Sequence, residues 1–282
     1  MKAVLYICHG SRVQQAQDQA VDFIRSCMSE NLAPIQEYCF LELASPTIEA
    51  GFMECVAKGA TEIIAIPVLL LTAGHAKTDI PNEIARLSSL FPDIKIKYGK
   101  PIGVHPAITD ILVQRIVETN HKLSKDALIL LVGRGSSDQA VVADLTEIVD
   151  MLKRRLGLRV EACFLTAAKP SLETALQFAQ KSHSQQIYVI PYLLFSGILM
   201  KKVKKMISQE VVPTEQSHQI ILCRHLGYHP IMKKIVYDRV QRATAINRAK
   251  EPNLYEVIEA LDKVKEVFEN QKPSDFLSIN VL

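Results

Sequence analysis

The stretch Phe40-Leu-Glu-Leu-Ala-Ser-Pro-Thr47 returns, altered but recognisable, as Phe164-Leu-Thr-Ala-Ala-Lys-Pro-Ser171. Working outward, Ile66-Pro-Val-Leu-Leu-Leu-Thr72 returns as Ile190-Pro-Tyr-Leu-Leu-Phe-Ser196, and Gly103-Val-His-Pro106 as Gly227-Tyr-His-Pro230. Each pair lies 124 positions apart, from Phe40 to Phe164, from Ile66 to Ile190 and from Gly103 to Gly227. A constant offset over three separated segments means one supersecondary unit duplicated and fused. At the same offset Glu42 is replaced by Thr166 and His75 by Leu199; His9, one position out of step, is replaced by Arg134. Residues kept in both copies are expected to carry the fold. Ionisable residues kept in only one copy are candidates for chemistry.

Each copy alternates strand and helix patterns. Strands are expected at 3–8, 34–40, 62–67 and 94–98, and again at 128–132, 159–164, 186–191 and 219–223. The first and third are nearly continuous apolar runs, which suits strands covered on both faces of a parallel sheet. Ala16, Ala20, Phe23, Ile24 and Cys27 recur at three- and four-residue spacing and line one helix face. Ser45-Pro46 is expected to open a second helix with proline at its first position, and Gly59 to end it. Pro81 opens a third helix, running to about Leu90, and His105-Pro106 a fourth. This alternation predicts an α/β fold with right-handed crossovers and doubly wound parallel sheets. Two domains are expected, 1–123 and 124–247, with a polar linker at 120–126. A helical tail is expected at 248–282, with a charged amphipathic pattern at 255–268 and loosely ordered last residues.

With 282 residues and 48% hydrophobic content, the chain can fill two cores. A net charge of +3 without a basic arm, and an absence of Trp, argue against a nucleic-acid partner. The six cysteines, Cys8, Cys27, Cys39, Cys55, Cys163 and Cys223, form no Cys-x-x-Cys pair, so no zinc ribbon or simple iron–sulfur motif is present. Most lie in apolar segments, where cysteine packs as a small hydrophobe. No apolar run approaches the roughly 20 residues that span a bilayer. A reduced cytoplasmic protein with no membrane partner is expected.

In open parallel sheets, ligands bind beyond the carboxyl ends of the strands. His9 follows the first strand, Glu42 the second and His75 the third, the last after a long loop, so all three reach one sheet edge. Two imidazoles and a carboxylate suit a divalent transition metal. A single histidine at a strand end is more often a hydrogen-bonded loop residue; His9, Glu42 and His75 together at one edge, all lost in the duplicate, favour the metal. His105 and His229 recur in both copies and read as helix-start flanks, while His121, His183 and His218 read as solvated. His225 carries neither reading.

Gly10-Ser11-Arg12 and Gly133-Arg134-Gly135-Ser136-Ser137 are tight strand-to-helix connections. They also fit an anion, with Arg12 and Arg134 as carboxylate partners. Neither is a nucleotide-binding glycine motif. The run Lys201-Lys202-Val203-Lys204-Lys205 reads as a solvated helix face or as a face toward an acidic ligand. The apolar loops at 69–74 and 195–200 read as packing between the halves or as a wall for a large flat ligand.

Cys8-His9-Gly10-Ser11-Arg12, then Phe40-Leu-Glu42-Leu-x-x-Pro46-Thr47-Ile48, then Pro67-x-Leu-Leu-Leu-Thr72-Ala-Gly-His75-x-Lys77-x-Asp79-Ile80-Pro81 resembles the class II tetrapyrrole chelatases. That family includes the long-form sirohydrochlorin ferrochelatases and the cobaltochelatases of cobalamin synthesis. The resemblance covers roughly residues 1–245. It implies two tandem flavodoxin-like, chelatase-like domains facing a cleft, with no prosthetic group. It also implies insertion of a divalent metal, Fe2+ or else Co2+ or Ni2+, into sirohydrochlorin, which with iron gives sirohaem. His9 and His75 match the family's two active-site histidines and Glu42 its acidic partner, as metal ligands and catalytic groups.

Insertion removes two pyrrole protons, which a neutral histidine can accept and Glu42 can tune or receive. The substrate's carboxylates make Ser11, Arg12, Lys77 and Arg134 candidate substrate-binding residues. The chain is expected to act as a monomer. Two other readings compete with a ferrochelatase of sirohydrochlorin or its cobalt counterpart. One is a non-catalytic metal- or tetrapyrrole-binding module. The other is a protoporphyrin ferrochelatase, which would present a more apolar mouth.

Overall fold

The computed structural model describes residues 1–72, 74–210 and 218–245. In the first half, β1 (Lys2–Cys8), α1 (Gln14–Met28), β2 (Ile35–Phe40), α2 (Ile48–Ala57) and β3 (Glu62–Val68) follow in order. A short π-helical turn, His75–Asp79, then leads into α3 (Ile80–Leu90), β4 (Lys95–Tyr98) and α4 (Ile108–Val117). The second half repeats the plan with β5 (Leu128–Gly133), α5 (Gln139–Leu156), β6 (Arg159–Phe164), α6 (Leu172–Gln180), β7 (Gln186–Pro191), α7 (Ile198–Glu210), β8 (Gln219–Leu222) and α8 (Pro230–Ala245). The expected helical tail at 248–282 lies outside the described residues.

The strands form two parallel four-stranded sheets, ordered β2-β1-β3-β4 and β6-β5-β7-β8. The α/β fold with parallel sheets flanked by helices is therefore as expected. Strand position explains the sequence pattern. Ala3–Cys8 of β1, Ile63–Val68 of β3 and all of β5 are buried, so these central strands are apolar throughout, while the edge strand β4 is only partly covered. Each large aliphatic side chain so buried stabilises the fold by about 1.5–3 kcal/mol. Pro67 and Pro191 sit in central strands without breaking a ladder. The β3–β4 pairing ends at Ala65 and the β7–β8 pairing at Val189, before either proline.

One helix start differs from the expectation. Pro46 is not the first helical residue: it sits in a cis peptide after Ser45, and its carbonyl accepts from Phe40 N. Thr47 caps α2 instead, its hydroxyl accepting from Ala50 N at 3.2 Å. The same arrangement recurs at Lys169-Pro170, with Ser171 accepting from Thr174 N at 3.1 Å. A side-chain oxygen that satisfies an orphan amide fixes the helix start better than proline does.

The sheets fall on either side of the expected boundary near residue 123, but an arginine on the last helix of each half reaches over to the other. Arg115 on α4 donates to Leu226 O, and Arg239 on α8 donates to Ile102 O at 2.6 Å. At the repeat offset these are the same contact made twice, in opposite directions. His229 bonds Gln114 at 2.6 Å, and its counterpart His105 lies 3.8 Å from Asp238. Both arginines are buried and held by backbone carbonyls, which compensates the cost of removing their charge from water. One hydrophobic cluster runs through both halves, from Tyr6 and Phe23 to Tyr188 and Met232.

Candidate active site

The carboxyl ends of β1, β2 and β3 deliver His9, Glu42 and His75 to one spot. Their potential ligand atoms all lie within 4.8 Å of one another, the only such His/Cys/Asp/Glu group among the described residues. His9 Nε2 is 3.6 Å from Glu42 Oε1, and the His9 and His75 rings meet edge to face with centroids 4.9 Å apart. The histidines are half-buried and Glu42 is exposed, so the group opens to solvent on one side.

Local folding explains why these side chains converge. After β1 the chain turns at Gly10, whose φ is +94°; a Cβ there would stand 1.8 Å from Glu42 O. Glu42 N donates back to His9 O at 3.1 Å, so the β1 and β2 turns are tied together. His75 opens the π-helical turn, which is pinned to β4 by Tyr98 OH donating to Ala76 O at 2.8 Å. Such turns are frequent at functional sites.

The outer contacts select ring nitrogens. His75 Nδ1 lies 2.6 Å from Asp79 Oδ2, so its N–H donates to that carboxylate and leaves Nε2 free to bind. His9 Nδ1 donates to Gly10 O at 3.2 Å, leaving the Nε2 lone pair. That lone pair accepts from Arg134 Nη1 at 3.2 Å, which reaches over from the second half. Burial, then the Arg134 guanidinium, hold the His9 imidazole below the usual histidine pKa; the Gly10 carbonyl, and lastly Glu42, act against them. His9 is therefore neutral near pH 7, the form that binds a cation.

The other candidates separate. Arg134 reaches His9. Lys77 is close in sequence, but its ammonium pairs with Asp138 at 3.2 Å, so it is already matched with a carboxylate. Ser11 Oγ accepts from Val13 N at 3.0 Å, as Ser136 Oγ does from Asp138 N at 3.1 Å; both shape the strand-to-helix turn. Arg12 is exposed, with no side-chain bond among the described residues. Lys202 donates to Leu165 O at 2.8 Å.

The loop at 195–200 packs between the halves. Phe195 lies 6.2 Å from Phe23, and Ser196 N and Oγ both bond Gln19 Oε1 at 2.8 Å. His105 and His229 accept from Ala107 N and Ile231 N, so both are helix-start flanks as expected. His218 is not solvated: its Nδ1 meets Ser184 O at 2.8 Å, because the start of β8 folds back onto the 184 turn. All six cysteines are buried, and burial raises their thiol pKa values, so none supplies a ready thiolate.

Asp79 is the site residue that sequence reasoning left without a role. Its signal is position four after His75, the spacing at which helical side chains meet.

With this geometry in view, the family model described as CbiX matches residues 3–119 and again 128–243. The chain belongs to the CbiX family. The sirohydrochlorin ferrochelatase of Priestia megaterium is 49% identical over 242 residues, covering 86% of this chain and 90% of that protein. A structure described as SirB from Bacillus subtilis with Fe3+ superposes at a TM-score of 0.80 and 38% identity, covering 87% of this chain and 96% of that one. The sirohydrochlorin chelatase SirB of Bacillus subtilis subspecies spizizenii, in complex with cobalt, gives 0.75 and 36%, with the same coverage. Both CbiX matches fall on the halves that the internal repeat defines. Among the described residues, no helix is long and apolar enough to cross a membrane.

Proposed function

We infer that this chain is a sirohydrochlorin ferrochelatase, inserting Fe2+ into the macrocycle to give sirohaem. The observation that carries this reading is the His9–Glu42–His75 group at one sheet edge, in a chain 49% identical to a sirohydrochlorin ferrochelatase over most of its length. Metal–ligand bonds to nitrogen and oxygen are about 2.0–2.2 Å, so donors around one ion stand about 3–4 Å apart. The three side chains need to close only slightly from the 4.8 Å envelope.

In this reading His9 and His75 offer Nε2 to the incoming ion and Glu42 offsets part of its charge. Asp79 fixes the orientation of the His75 ring and directs its Nε2 toward the ion. As the ion passes into the macrocycle, the two pyrrole protons need acceptors. The freed His9 and Glu42 are neutral and anionic bases within reach of the same point. The lowered pKa of His9 suits metal binding, because it keeps the lone pair available.

Open nitrogen and oxygen sites follow the general divalent series rather than selecting iron. A relative in complex with cobalt agrees with this, so insertion of Co2+, and of Ni2+, is part of the proposal. No prosthetic group is required. Groups from both halves of one chain meet at the site, which supports action as a monomer.

The test is anaerobic incubation with sirohydrochlorin and Fe2+ or Co2+, followed by absorption spectroscopy. Conversion to the metallated spectrum is expected with the native chain and not with His9→Ala or His75→Ala. An unchanged spectrum with every metal would leave a binding module as the better reading.

A further inference from the structure

Arg134 stands where the second half's counterpart of His9 belongs, yet its side chain contacts His9 itself. Its backbone is fixed at the end of β5, where Arg134 O accepts from Thr166 N at 2.9 Å and from Thr166 Oγ1 at 3.0 Å. Its side chain is exposed and forms no ion pair among the described residues. Nη1 donates to His9 Nε2 at 3.2 Å, closer than the 3.6 Å that separates that nitrogen from Glu42 Oε1. The guanidinium therefore holds the lone pair that the proposed metal site requires.

We propose that Arg134 is a latch that couples the two substrates: it occupies His9 Nε2 while the cleft is empty and releases it when a carboxylate-bearing tetrapyrrole draws the guanidinium away. This rests on the reading of His9 as a metal ligand. One lone pair cannot serve an N–H donor and a cation together, and a guanidinium beside a divalent ion is repelled by it. A carboxylate is the better partner for the guanidinium, with two charge-assisted hydrogen bonds in place of one neutral acceptor. Substrate arrival thus frees the nitrogen for the metal. By thermodynamic reciprocity, metal arrival frees the arginine for the substrate. Other nearby cations do not fit this role: Lys77 is held by Asp138, and Arg12 forms no side-chain hydrogen bond or ion pair among the described residues.

The experiment measures Co2+ affinity without tetrapyrrole, and sirohydrochlorin affinity without metal, in the full chain and in Arg134→Ala. Arg134→Met is run beside it, keeping the apolar stem so that the comparison survives if the truncation unfolds. Removing the latch should tighten Co2+ binding on the order of tenfold, within the usual range of coupled sites, while weakening sirohydrochlorin binding. Opposite signs in the two affinities are the signature. An unchanged Co2+ affinity with weaker sirohydrochlorin would make Arg134 a simple anchor and overturn the latch. Weaker Co2+ binding in a folded variant would also overturn it. His9→Ala separates the levels: if it retains native Co2+ affinity, the metal-site reading fails. If it loses Co2+ while the Arg134 variants match the native chain, only the latch fails.

Discussion

At the end of β1 and at the end of β5 the chain makes the same turn. Gly10 and Gly135 have φ of +94° and +88°, and a Cβ on either would stand 1.8 Å from a carbonyl oxygen, that of Glu42 or of Thr166. Ser11 and Ser136 accept the same local amide, and the loops after β2 and β6 both carry a cis proline and a left-handed residue, Leu43 or Ala167. On this shared scaffold the first half carries two imidazoles and a carboxylate. The second half carries none of them. Thr166 bonds back to Arg134 O, and Leu199 joins the apolar core of its own half. The backbone that shapes the site is thus independent of the groups that give it chemistry. Three side chains were free to differ because the turns do not depend on them.

The largest test of this separation removes chemistry without touching the scaffold. His9→Ala and His75→Ala should each take metal insertion to near background while thermal unfolding stays close to that of the native chain, because the second half folds without either imidazole. Loss of folding in these variants would make the residues structural. Glu42→Ala should retain more activity, since the carboxylate assists two ligands that remain.

The converse test alters the scaffold in both halves. Gly10→Ala and Gly135→Ala should each cost about 3 kcal/mol or more, combining a left-handed φ with a backbone clash. Chemical denaturation that shows the two losses to be alike would support the equivalence of the turns; a tolerated substitution in either half would break it.

A smaller effect is expected outside the proposed ligand set. Asp79→Ala should weaken metal affinity by about 10–100-fold, the usual range for a carboxylate that orients a ligating histidine. Asp79→Asn keeps an oxygen that accepts from Nδ1 and should recover part of the loss. Equal losses in both variants would mean that the charge, rather than the orientation, is what Asp79 supplies.

The smallest effect is a titration. Since burial and Arg134 lower the His9 pKa, its ring should titrate below the usual value of about 6.5 in the metal-free protein. The unfolded chain takes up this proton at higher pH than the folded one. The His9 contribution therefore favours folding above about 6.5 and is lost as pH falls toward the folded value. Metal affinity should fall over the same acid range, because proton and metal compete for one lone pair. Following the His9 ring by NMR in the native chain and in Arg134→Met should show an upward move in the variant. A midpoint at or above 6.5 in the native chain would contradict the geometry.

Much of the molecule was determined by local sequence. Continuous apolar runs at residues 3–8 and 128–132 dictate doubly covered parallel strands, since such a run can only be buried on both faces. The constant offset of 124 dictates two like halves. The convergence of His9, Glu42 and His75 followed from their places after three successive strands, and their loss in the duplicate distinguished them from ordinary loop residues. Tertiary structure decided the rest. Whether Pro46 or Thr47 starts α2 depended on which group satisfies an amide. Asp79 acquired its partner only because the chain turns helical at His75, which brings position four back over that ring. The reciprocal grip of Arg115 on Leu226 O and Arg239 on Ile102 O joins residues more than a hundred positions apart, as does the reach of Arg134 to His9. Periodicity reports which face of an element is buried; it holds no record of which distant side chain meets that face, because that pairing is set by how the finished elements pack.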